Sequence, residues 1–407
     1  VTDFHGVANA PFDGRIAPRE PAAAAHDRVG AIAAHSTLVA LADAPRAEWM
    51  DLADHALEPN AYYLPDWACA VSRNADGRRG AGALVAWDPA SPRRLTGLMP
   101  VTSAWRALRI PLPFLVSYEA YGVLGTPLIR KGCDAGAGLI AAARAARMHA
   151  ILLRDIPLDG AAMAAIRKAL TEKNLRAVTL RHYVRSALGT AGSAARPGRA
   201  VPKSLRRMRA RLEDQAPVSV SVAREPDDVA SALETFLALE ASGWKGRRGT
   251  ALASSAGDLA FIREAAPAMA ANGHCEIAVL RCGDNAIAAG LLLRHLRRAY
   301  FFKIGSDEAL ARFSPGTQLM ADVTRHLLDD PSIADADSTE PADNGPIGHL
   351  WPDRMRMADV LISLRPRDPV FAAIHAALRV RLAARDMLRP LIATVRKLRA
   401  RGPGSPS

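Results

Sequence analysis

The sequence predicts a mixed α/β fold made of two similar halves, followed by a basic helical extension. Three observations predict it. Short apolar strands interchange with amphipathic helices along the 407 residues, their order occurs twice, and the C-terminal stretch turns to helical spacing rich in Arg. The composition allows two cores, since 49% of the residues are hydrophobic and 23% charged.

The second half shows the order best. Residues 218–222 read VSVSV, the alternation of a half-buried strand. Asp227 and Asp228 open a helix through Leu233, Phe236, Leu237 and Glu240, with the acids at its positive end. A second helix fits 257–271. Residues 276–280 form a strand, Gly283-Asp284-Asn285 a hairpin turn, and 287–294 the returning strand. Residues 299–304 pair next. A helix follows Pro315-Gly316, and strands at 333–337 and 357–364 close the half.

The first half follows suit. Residues 37–41 form a strand, 46–57 and 66–72 helices, and 83–87 with 95–101 a hairpin across Pro89-Ala90-Ser91-Pro92. A short strand at 115–118 precedes a helix at 134–148, a strand at 150–154, a helix at 160–171 and a strand at 175–180. Three matching strands lie about 180 residues apart, as shown by Leu38 and Val218, Ala150 and Ile333, and Leu175 and Met357. The expected layout is a disordered lead at 1–35, a first domain at 36–182, a linker rich in Gly, Ala, Ser and Arg at 183–200, a second domain at 201–366 and a basic amphipathic tail at 367–407.

Several function classes are disfavoured. The four cysteines, Cys69, Cys133, Cys275 and Cys282, lack CxxC spacing, and the 11 histidines form no HExxH, so no metal is expected. No apolar run approaches the roughly 20 residues that span a bilayer, and residues 1–21 lack a signal layout, so a cytoplasmic protein is expected. The net charge of +12 favours anionic partners, or reflects an Arg- and Ala-rich composition.

Three stretches carry a family resemblance: LALEASGWKGRRGTAL at 237–252, YFFKIGSDEALARFSPGTQLMADV at 300–323 and HLWPDR at 349–354, with the basic helix KSLRRMRARL at 203–212 before them. The chain resembles the GNAT superfamily of N-acyltransferases over residues 36–364. Its second half is similar to the CelD-like branch, named for a cellulose-biosynthesis protein and related to FemAB-type aminoacyltransferases, which carry two fused GNAT folds. The resemblance implies tandem GNAT folds, an acyl-CoA such as acetyl-CoA as donor, and an amine on a small molecule or glycan precursor as acceptor. FemAB-type relatives imply aminoacyl-tRNA as the alternative donor, and a non-catalytic accessory role in polysaccharide or envelope synthesis is a third possibility.

Candidate residues follow. Pro315 fits a first helical turn, where its missing N–H costs nothing. The N–H groups of Gly316, Thr317 and Gln318, beside Ser314, would then face an anion. In GNAT folds this helix start holds the CoA pyrophosphate, although the usual Gln/Arg-x-x-Gly-x-Gly/Ala loop is absent here; a plain helix start is the alternative. In GWKGRRGT, Trp244 stacks on a ligand or plugs the core, and Lys245 with Arg247 and Arg248 suits an anionic group. Strand alternation sets Lys303 on the same face as Phe301, needing a carboxylate or a substrate phosphate.

Amine acylation needs a base. Glu240, one turn before Trp244, is one candidate. Glu340 is another, just past a strand end where clefts of open sheets lie, with Asp337 and Asp343 as rivals. His349 is a further base, or a structural histidine. GNAT enzymes often protonate the leaving thiolate with a late Tyr, but no Tyr follows Tyr300. Lys203–Arg211 reads as a solvated basic helix without aromatics to stack bases, so nucleic acid other than tRNA is not expected.

In the tail, Phe371, Ile374, Leu378 and Leu382 recur at three- and four-residue steps, and Met387, Leu388, Leu391, Val395 and Leu398 read as continuing the stripe past a kink at Pro390. Cations crowd this stretch. A helix packed on its own domain, self-association, and attachment to the inner membrane face are the readings it supports.

Overall fold

The computed structural model describes residues 36–189, 201–342 and 347–400, with side chains in the last helix as far as Met387. The expected lead at 1–35, the linker from 190 onward and Asp343 lie outside the described residues.

The first half contributes β1 (Thr37–Ala40), β2 (Gly82–Asp88), β3 (Ser91–Ser103), β4 (Phe114–Ser117), β5 (Leu128–Ile129), β6 (Ala150–Pro157) and β7 (Ala177–Gly189). The second contributes β8 (Val218–Ala223), β9 (Cys275–Cys282), β10 (Asn285–His295), β11 (Arg298–Ser306), β12 (Asp335–Pro341) and β13 (Asp353–Ser363). In each half four strands run antiparallel and the next joins in parallel, β6 on β4 and β12 on β11. The two halves make one mixed sheet, ordered β1-β2-β3-β4-β6-β13-β7-β12-β11-β10-β9-β8, with β5 beside β3.

The last strand of each half is built into the other half. β13 lies between β6 and β7, and β7 lies between β13 and β12. The antiparallel β7–β13 pair thus stands at the centre of a pseudo-two-fold arrangement.

This corrects the expected linker at 183–200. β7 continues to Gly189, and its Ala187 and Leu188 are buried opposite Asp337 and Ala336. The polar look of residues 183–189 comes from Arg185 and Ser186. Arg185 is nevertheless buried, because its Nη1 donates to Asp337 Oδ2 at 2.8 Å and both side chains are only 1% exposed.

Helices cover both faces. Pro65–Asn74 of the first half packs against Ala256–Ala270 of the second, Trp67 meeting Phe261 edge-on at 5.0 Å. Polar contacts tie the same seam: Asn74 Nδ2 donates to Glu264, and Tyr300 Oη to the Pro59 carbonyl at 2.7 Å. The helix Pro369–Ala400 lays Phe371, Ile374 and Leu378 against Phe114, Leu152 and Leu361.

One seam contact is pH-sensitive. Buried His295 accepts the Asn60 N–H on Nδ1 at 2.8 Å, while Nε2 donates to the Ala53 carbonyl at 3.0 Å. That arrangement needs the neutral ring, and burial lowers the pKa from 6.5 to about 4. The contribution is complete above the unfolded value of 6.5 and is lost as pH falls toward 4. Its loss should cost about 3 kcal/mol. Urea unfolding across this range should show the decline, and His295→Leu should flatten it.

Candidate functional site

Both halves contain a wedge where the parallel strands part. β11 and β12 pair at Arg298–Asp335, Ala299–Ala336 and Tyr300–Asp337, and then diverge. β4 and β6 likewise pair over three positions, ending at Val116–Leu152. In the second half a side chain fixes the point of parting. Thr339 adopts φ +59 on β12, an unusual value for a β-branched residue. Its N–H donates to Asp337 Oδ1 and its hydroxyl to the Phe301 carbonyl, both at 2.8 Å. Phe301 thus loses its ladder acceptor to a side chain, and β12 turns away.

The first wedge is filled by its own chain. The Gly125 N–H donates to the Asp155 carbonyl at 3.3 Å. A Cβ here would lie 2.2 Å from the Arg154 carbonyl oxygen and 2.6 Å from Ser117 Oγ, so only glycine passes between β4 and β6. Leu124 and Thr126 on either side are buried. Among the described residues, no backbone segment is hydrogen-bonded between β11 and β12 in this way.

At the end of β11 the chain passes through a 3₁₀ segment, Glu308–Phe313, into the helix Pro315–Asp329. Ser314 makes the turn in a left-handed conformation, φ +51. Among the described residues, the N–H groups of Gly316 and Thr317 find no backbone acceptor. Gln318 does not belong with them. Its N–H donates to the Ser314 carbonyl at 3.0 Å, its Nε2 to the Phe313 carbonyl at 2.8 Å, and its Oε1 accepts from Arg209. The helix Lys203–Glu213 that supplies Arg209 is partly packed, through Leu205 and Leu212, and leaves Lys203, Arg206, Arg207 and Arg211 exposed.

Glu240, Lys245 and Lys303 meet beside the wedge. Glu240 Oε1 accepts from Lys303 Nζ at 3.2 Å and Lys245 Nζ at 3.3 Å, and Oε2 accepts the Leu252 N–H at 2.8 Å. Its side chain is fully enclosed. The helix Pro226–Ser242 can lie this close to β11 because residue 305 is glycine, where a Cβ would meet Glu240 N at 2.7 Å. Glu240, expected as a base, is therefore a counter-ion with both oxygens engaged. Lys245 Nζ also donates to the Ile304 carbonyl at 2.8 Å. Loss of solvation lowers its pKa, with Glu240 opposing and Lys303 adding to the shift.

Lys303 does not share the face of Phe301. A β-bulge sets Lys303 opposite Leu291 but Phe301 opposite Leu292, so Phe302 is an extra residue and the alternation changes phase. Phe301 faces Trp351, whereas Lys303 turns toward Glu240 and Tyr121.

The other expected residues are spread around this centre. Trp244 is 49% exposed, not a core plug, and carries the Arg248 guanidinium 5.2 Å from its ring centroid. Glu340 is exposed at the end of β12, its pKa raised by loss of solvation with Lys245 pulling it down. Asp337 is committed to Arg185 and Thr339. His349 is exposed on the short helix Ile347–Leu350 and makes no hydrogen bond to the lysine–glutamate group. Among the described residues, no group of three or more His, Cys, Asp or Glu could hold a metal.

Tyr121 was not foreseen. It comes from the first-half loop that fills the first wedge, and its ring stacks on Phe261 at 5.0 Å. It lies 6.0 Å from Lys303 Nζ and donates its hydroxyl to Asp258 Oδ2 at 2.5 Å. No periodicity singles it out; only the joining of the halves brings it here.

Glu240→Gln should leave two ammonium groups without their counter-charge and destabilise the protein by about 3 kcal/mol. Adding Lys303→Met should recover part of that loss. Chemical denaturation of the single and double variants measures both.

Residues 199–340 match the family model described as an acetyltransferase (GNAT) domain. No curated protein matches the sequence. Among solved structures, FemX aligns with a TM-score of 0.53 at 10% identity, over 81% of this chain and 98% of its own. The C-terminal domain of a protein provisionally assigned as a lysylphosphatidylglycerol synthetase, from Agrobacterium fabrum, aligns with a TM-score of 0.50 at 13% identity, over 82% and 96%. A conserved protein of unknown function from Bacteroides thetaiotaomicron gives 0.50 at 11% identity, over 79% and 98%. The chain has a mixed α/β GNAT fold in tandem, and residues 199–340 of its second half match the acetyltransferase (GNAT) domain model.

Proposed function

We propose that the protein is an N-acyltransferase that moves an acyl group, such as acetyl, from a CoA thioester held in the second half to an amine. The observation that carries this reading is the open β11–β12 wedge beside the free N–H groups of Gly316 and Thr317, in the half that matches the acetyltransferase model. The helix start abuts the strand end, with an ideal Cβ on Gly316 lying 3.5 Å from Ile304 Cδ1 and from Ser306 Oγ. A pyrophosphate at this helix start would meet N–H donors and the positive helix end. The unpaired edge of β11 past Tyr300 would hold the thioester arm and polarise its carbonyl.

The attacking amine must be neutral. Glu340 suits the role of base, because it is exposed at the end of β12 and its pKa is raised toward that of a useful proton acceptor. Trp244, Lys303 and Tyr121 form the acceptor side, and the lysines favour an acceptor with an anionic group. A link to polysaccharide synthesis rests on the CelD-like resemblance of residues 237–252 and 349–354.

Calorimetry with acetyl-CoA should give one site per chain, since Gly125 and its neighbours fill the first wedge. Gly316→Asp should abolish binding without lowering the melting temperature. Two sites per chain, or equal affinity in the variant, would refute the placement. Glu340→Gln should reduce kcat about a hundredfold while leaving donor affinity intact.

A second reading is transfer from aminoacyl-tRNA. Alignment with nearly the whole of FemX and the exposed cations of helix Lys203–Glu213 favour it. Binding of aminoacyl-tRNA in place of CoA would select this reading. Failure to bind either donor would leave the accessory role.

A further inference from the structure

The C-terminal helix carries two apolar stripes on opposite sides. Helix Pro369–Ala400 has 32 residues. Phe371, Ile374 and Leu378 are buried against the first half, and Leu382 is half-buried on the same line. From Arg379 to Met387 every other residue is exposed. A second stripe starts at Val380 and passes through Ala384 and Met387, and its spacing runs on in sequence through Leu391, Val395 and Leu398. With 3.6 residues per turn, Val380 and Met387 lie roughly 180° around the helix from Leu378. They are 70% and 75% exposed.

The second stripe is therefore not a continuation of the packed one. In sequence the positions that continue the packed line are Arg385, Arg389, Ile392 and Arg396, so that line turns mostly cationic. A helix already committed to the protein through one side cannot also cover the opposite side with the same surface. The stripe needs a different partner.

Charge decides which. Residues 379–401 contain Arg379, Arg381, Arg385, Arg389, Arg396, Lys397, Arg399 and Arg401, with Asp386 the one acid. Pairing two copies of this segment would bring like charges together along the seam, with Pro390 interrupting it. An anionic lipid surface instead accepts the stripe at the acyl boundary and the cations among its headgroups. We propose that the segment from Val380 onward, about 30 Å of helix, docks the protein on an anionic membrane surface.

The test uses the full chain and sedimentation with vesicles of phosphatidylcholine alone or mixed with phosphatidylglycerol. The protein should pellet with the mixed vesicles and stay free with the neutral ones, and added salt should weaken pelleting. Met387→Glu combined with Leu391→Glu should weaken it tenfold or more, roughly the effect of placing charge in the apolar face. Melting should be unchanged, because position 387 is exposed. Arg381→Gln with Lys397→Gln, one on each flank of the stripe, should also weaken pelleting. The proposal is overturned by failure to pellet at low salt, by equal binding to both vesicle types, or by a lower melting temperature in the Met387 variant, which would show the stripe packed. It is also overturned if the full chain is a dimer that the Met387 and Leu391 substitutions make monomeric, because the stripe then belongs to a second copy.

Discussion

The buried ion pair between Arg185 and Asp337 holds together the parts on which the rest of the structure depends. Arg185 belongs to β7, the strand the first half lends to the second, and Asp337 to β12, where the second wedge begins. Arg185 Nη2 also donates to the Val123 carbonyl at 2.6 Å and to the Tyr183 hydroxyl at 2.7 Å. One guanidinium thus fixes the register of the exchanged strand, the loop that closes the first wedge and the acid that shapes the second. Burying such a pair gives little net stability, because desolvation offsets the attraction, but removing one partner leaves an unpaired charge in the core. The pair therefore discriminates strongly against a β7 shifted by one residue, which would put the guanidinium on the wrong face.

The two halves share a plan and differ in how they use it. Each parts its parallel strands after three pairs and ties the divergence with a hydroxyl: Thr339 to Phe301 in the second half, Ser117 to Arg154 in the first. The first half then fills its gap with Leu124, Gly125 and Thr126, and the same loop delivers Tyr121 to Lys303. One wedge is traded for a wall of the other. The family model matches residues 199–340, in the half whose wedge is not filled this way among the described residues.

The element order and its repeat were legible because alternation and helical spacing are local. The strand exchange was not, since it depends on pairings between residues more than a hundred positions apart in sequence, such as Arg185 with Asp337. The end of β7, beyond the expected strand at 175–180, looked like linker because its buried arginine is paired with an acid that local pattern cannot supply. Glu240, Lys245 and Lys303 were all singled out, but their mutual contact was not, and the bulge at Phe302 reversed the expected side of Lys303. Gln318 was grouped with its neighbours on position alone. Its amide and side chain serve the turn at Ser314 instead, which only the left-handed φ of Ser314 makes clear.

The exchange of β7 and β13 also bears on ancestry. Two copies of a half-sized protein that swapped their last strands across a two-fold axis would form the same sheet, in the same strand order. The present chain has the topology of such a domain-swapped homodimer with its subunits joined end to end. Joining removes the dependence of assembly on concentration and frees the two copies from being identical. Once they can differ, one can fill its wedge while the other leaves it open. The asymmetry between Gly125 and the open β11–β12 wedge is what covalent linkage permits and a symmetric dimer forbids.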